Sequence, residues 1–132
     1  EYRSACYCGD GHFSDWGKTL DSIQNFRPEA IAPGRGAALI GKKMAEEAIE
    51  LTHDFIESTY YPAAEVAARN GTLKEAWDEV RAECDHKFRD YAIYEHCLPF
   101  NVARAYDEAR GIDNPRIWTA KRDLEMWEAL QA

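Results

Sequence analysis

A chain of 132 residues has room for one domain and buries roughly two-thirds of its unfolded surface. A composition of 45% hydrophobic and 12% aromatic residues is that of a folded globule and sets disorder aside. The net charge of −8 argues against nucleic acid or an anionic membrane surface as a partner. No apolar run approaches the ~20 residues of a membrane span, so a soluble, cytoplasmic protein is expected. Glu1 is not methionine, which points to a processed chain, a trimmed one or a fragment. With Cys6 and Cys8 one residue apart and no stapled-domain composition, the four cysteines are expected as reduced thiols.

Residues 1–13 carry Gly, Cys and aromatics without a sustained period and read as loop with one short strand. Ser14 suits an N-cap, and Trp16, Leu20, Ile23 and Phe26 then recur at helical spacing until Pro28. Ala30-Ile31-Ala32 is a short apolar run that reads as a buried strand, stopped by Pro33-Gly34-Arg35-Gly36. Beyond Gly36, the residues Ile40, Met44, Ala48, Leu51 and Phe55 form one stripe, which predicts a single helix over 37–60. Pro62 suits the start of another helix, closed at Asn70-Gly71. Thr72 and Glu75 form a capping box, opening a helix through Leu73, Ala76, Trp77, Val80 and Cys84. A helical stretch is predicted over 88–97, followed by one starting at Pro99 and ending at Gly111. Thr119 caps a last helix with Leu124, Trp127 and Leu130. The chain thus reads as mainly α with one or two short strands.

The run Gly11-His12-Phe13-Ser14-Asp15-Trp16, with Thr19-Leu20-Asp21-Ser22-Ile23 and then Arg27 through Gly36, resembles the end of the metallo-β-lactamase fold. In that family a helix starting near a Trp leads into a short strand ending in Pro-Gly-His-Gly, whose His ligates metal. The resemblance covers about residues 9–43. The helical remainder, including Tyr94-Glu95-His96-Cys97-Leu98-Pro99-Phe100-Asn101, is similar to the extension some members carry. It implies the C-terminal remnant of an αββα sandwich over 1–36, with a helical extension over 37–132 packed on it. It also implies a parent activity of metal-dependent ester, lactone or amide hydrolysis, with zinc or iron in the complete domain. An upstream segment or a separate chain would complete the fold.

Two departures limit what carries over. The family's His-x-His-x-Asp-His motif is absent, and His12, His53, His86 and His96 are too scattered to rebuild it. The turn histidine is Arg35 here, a permanently protonated donor that cannot ligate a cation but can bind a carboxylate. No catalytic or metal-ligating residue is therefore assigned, and this chain alone is expected to be inactive. His12, Arg35, Tyr94 and His96 are the expected substrate-binding residues.

Other constellations favour structural readings. Cys6, Cys8, Asp10 and His12 are metal-ligand types, but their spacing is not that of a structural zinc site. Cys84 with His86, and His96 with Cys97, read as buried thiols and capping histidines, because helical neighbours point about 100° apart. Gly36-Ala37-Ala38-Leu39-Ile40-Gly41-Lys42 lacks the Ser or Thr that a phosphate loop places next, so nucleotide binding is rejected. Asn70-Gly71-Thr72 is formally a glycosylation sequon, and a helix end followed by a helix start explains it as well. Two further functions stay open beside the hydrolase reading. One is a non-catalytic helical module for dimerisation or protein interaction. The other is a degenerate family member that binds a ligand through Arg35.

Overall fold

Helical periodicity governs most of this chain, and glycines and prolines decide where it stops. The computed structural model describes residues 2–132. Its elements are α1 (Phe13–Asn25), β1 (Ala30–Ile31), β2 (Leu39–Ile40), α2 (Lys42–Ala68), α3 (Leu73–Phe88), α4 (Tyr94–Ala109) and α5 (Ala120–Gln131). The protein is mainly helical, with one small antiparallel sheet among the described residues. Among the described residues, no helix is long and apolar enough to cross a membrane.

Helix α1 begins one residue before Ser14, with His12 in the N-cap position and no cap from its side chain. The exposed amides are satisfied from a distance. Glu108 on α4 accepts from Phe13 N at 2.8 Å and from Ser14 N at 2.9 Å. A carboxylate there also meets the positive end of the helix dipole.

The strand expected at Ala30 is present but not buried, with Ala30 exposed and Ile31 half-buried, and it has a partner that the sequence placed inside a helix. Ala30 pairs with Ile40, and Ile31 with Leu39. Gly36 and Gly41 hold φ at +93° and +111°, a region that suits glycine and interrupts a right-handed helix. Gly41 N donates to the Glu29 carbonyl at 2.8 Å, continuing the ladder, and α2 starts only beyond it.

Pro62 does not start a helix; α2 runs through it. A proline has no N–H, so the Ser58 carbonyl loses its intrahelical donor, a change costing ~3 kcal/mol in an isolated helix. Here the Cys84 thiol donates to that carbonyl at 3.4 Å from α3. The helix pair therefore repairs its own proline defect. The Thr72–Glu75 capping box forms as expected, as do the Gly111 turn and the Thr119 cap. The predicted helix over 88–97 is interrupted by a joint over 89–93, and its last four residues open α4. Chain α3 ends at Phe88, Ile93 takes a left-handed φ of +58°, and α4 starts at Tyr94 with Pro99 inside it. A β-branched residue in that region is strained, and packing around the joint must hold it.

The core lies between α2, α3 and α4. Phe55, Val66, Val80, Phe88, Leu98 and Val102 are all at most 1% exposed. Phe55 and Phe88 meet edge-to-face with centroids 5.2 Å apart. The N-terminal segment joins this body beside the joint, where Ala5 N donates to the Ala92 carbonyl at 3.0 Å.

Candidate functional site

One face of α4 organises the segment that carries His12. Asn101, Arg104 and Glu108 recur at i, i+3 and i+7 and so share that face. Asn101 accepts from Cys8 N at 2.7 Å and donates to the Cys6 carbonyl at 2.8 Å, satisfying backbone as a neighbouring strand would. Arg104 is 0% exposed. Its guanidinium donates to the carbonyls of Gly11, Ile112 and Asp113, at 2.7, 2.7 and 2.8 Å. It also pairs with Glu108 at 3.0 Å, so one buried cation ties three stretches of chain together.

His12 consequently sits at the edge of a polar hollow of about 390 Å³, shared with Tyr60, Glu108 and Asp113. Burial raises the Tyr60 hydroxyl above its ordinary value, and the Glu108 carboxylate adds to the effect. It is a proton donor, not a base, at neutral pH. Glu108 is occupied by two amides and a guanidinium, so its oxygens are already engaged.

A second cavity, of about 230 Å³, opens between α1, the hairpin, the start of α2 and the N-terminal segment. Leu20 and Ile23 come from α1, Ile31 and Leu39 from the hairpin, and Ala48 and Ile49 from α2. Trp16 and Tyr7 are part of the lining. The Thr52 hydroxyl in the wall is committed to the Ala48 carbonyl at 2.7 Å, so the floor behaves as apolar. No charged side chain lines it.

The four expected substrate residues are not brought to one place. His12 lines the polar hollow, whereas Arg35 lies on the exposed turn between the strands. His96 is exposed on α4, with its ring 6.0 Å from that of Phe100. Tyr94 is 1% exposed, and its hydroxyl donates to Asp85 at 2.8 Å. Burial, then that bond, pushes its pKa far up. Tyr94 locks the α3–α4 joint, where Arg81 also forks onto Glu95 at 2.7 and 3.0 Å. The Asn101–Arg104–Glu108 stripe escaped sequence reasoning. Its available signal was three polar residues at helical spacing amid Leu98, Val102 and Ala105.

Cysteine chemistry is muted as well. All four cysteines are buried, and burial pushes the Cys84 thiol up to about 12, so it is neutral and inert at physiological pH. Among the described residues, no three His, Cys, Asp or Glu side chains gather as a metal site. The side chains of this chain therefore do not by themselves fit the zinc or iron that the family resemblance implies, and Arg35 offers no lone pair.

No family model matches the chain, and a search of curated proteins finds no match.

Proposed function

We propose that the chain is the C-terminal portion of a metal-dependent hydrolase of the metallo-β-lactamase fold, acting on an ester, lactone or amide. It contributes scaffold and pocket wall, and the metal is held by residues outside it. The observation that carries the reading is the order of α1, β1 and the Pro33-Gly34-Arg35-Gly36 turn, with apolar side chains left uncovered on that side. Phe26 is 83% and Ile40 70% exposed, as expected of a surface that another layer covers. In this arrangement Arg35 presents a guanidinium on the exposed turn, suited to a substrate carboxylate.

The test is the intact mass and metal content of the natural gene product, followed by turnover of ester, lactone and β-lactam substrates. A larger species carrying zinc or iron and hydrolysing one of them supports the reading. A metal-free natural product of 15.1 kDa sinks it.

A second reading, a helical interaction module, is favoured by one observation on the opposite side of the chain order. Ile117, Leu124 and Trp127 are 84%, 56% and 60% exposed on and before α5. Sedimentation giving a monomer at all concentrations, with no partner recovered, removes it.

A further inference from the structure

The cavity between α1, the hairpin and α2 is an apolar hollow partly open to solvent. Its floor side chains Leu20, Leu39, Ala48 and Ile49 are at most 7% exposed, so the hollow is recessed into the protein. Four separate stretches of chain wall it, no charged side chain lines it, and the Thr52 hydroxyl is committed to the Ala48 carbonyl. Water in such a hollow finds too few polar partners to be held there. An apolar cavity of about 150 Å³ accommodates benzene. A volume of about 230 Å³ has room for a ring bearing a short alkyl or acyl arm.

We propose that this cavity binds a compact, uncharged apolar group, an aryl ring or a branched aliphatic chain. Trp16 and Tyr7 in its lining offer the group aromatic contact. A charged headgroup stays outside, because burying it in a wall without counter-charge is costly. The cavity needs only the walls of this chain, so the inference goes beyond the hydrolase reading and does not depend on it.

The experiment titrates 4-fluorotoluene into the 132-residue chain and follows the ¹⁹F line. Ala48→Leu and Ile23→Trp fill the cavity from its floor and from its rim. Leu124→Ser removes an exposed apolar residue elsewhere and controls for a generally adhesive surface. Saturable binding, at least tenfold weaker in either filling variant and unchanged in Leu124→Ser, is expected. Binding that never saturates, or that survives filling in a folded variant, overturns the proposal.

If both filling variants unfold, heavy-atom quenching decides. The probe 4-bromotoluene should quench tryptophan emission in the wild type and lose most of that effect in Trp16→Phe. Undiminished quenching in Trp16→Phe overturns the proposal. The same titration on a longer version carrying upstream residues identifies the other occupant. If that version binds no probe, the cavity is a socket for a side chain of the protein itself, and the proposal fails. None of these results bears on the hydrolase reading, which is decided by metal content and turnover.

Discussion

The α2–α3–α4 body and the α1–hairpin face treat their apolar side chains in opposite ways. In the body, Phe55, Phe88 and Leu98 are at most 1% exposed, and even a proline defect finds an internal donor. Along the other face, Phe26 and Ile40 point into water beside an open apolar cavity. The body is self-sufficient, whereas the face has the character of an interface or a binding wall. The difference teaches where to look: packing is concentrated in the body, and uncovered hydrophobic surface lies on the other side.

The sharpest way to break that comparison is at the link between the two. Arg104→Ala leaves three carbonyls and Glu108 without their cation. Losing one member of a buried pair costs about 3–5 kcal/mol. Chemical denaturation should show a loss of that size, with Arg104→Lys recovering little because a single ammonium cannot span three acceptors. A loss below about 1 kcal/mol would mean that the N-terminal segment is not held as described.

Alkali tests the body alone. Its Cys84 thiol has an ordinary value near 9 and a folded value of about 12. The unfolded thiol therefore ionises first. Stability from this group is fully present below about pH 9 and is lost as pH rises toward 12, by at most about 1.4 kcal/mol per pH unit. Urea melts between pH 8 and 11 should show a decline that Cys84→Ala makes shallower. An identical slope in the variant would assign the decline to the buried tyrosines.

Smaller effects sharpen the contrast. Thr72→Ala removes the cap of α3 and should cost about 1 kcal/mol, read as a lowered urea midpoint. Phe26→Ser on the open face should change stability by no more than about 0.5 kcal/mol. It should also reduce the binding of a hydrophobic dye. A large destabilisation there would show that the face is packed after all.

How much of this was legible in the sequence follows from the range of each interaction. The Thr72–Glu75 box, the Gly111 turn and the Thr119 cap are written within a few residues, and all three were readable. Pro62 misled because the local rule ends a helix at a proline, while the compensating Cys84 thiol comes from 26 residues away. Leu39 and Ile40 look like the opening of a helical stripe until Gly41 is given its left-handed φ. The start of α1 was hidden because its cap, Glu108, lies 95 positions downstream. Tyr94 could not be separated from a surface tyrosine, since the acceptor that commits it is on a different helix.

The clasp made by Asn101, Arg104 and Glu108 also imposes an order of assembly. The segment it holds precedes its partners by 93 to 95 residues. At ordinary ribosomal speed, about 5–20 residues per second, those partners follow several seconds later. During that interval Cys6, Cys8 and Phe13 have no α4 to lie against. Helices α2 and α3, whose contacts are nearer in sequence, can pair while the residues ahead of α1 still wait for α4.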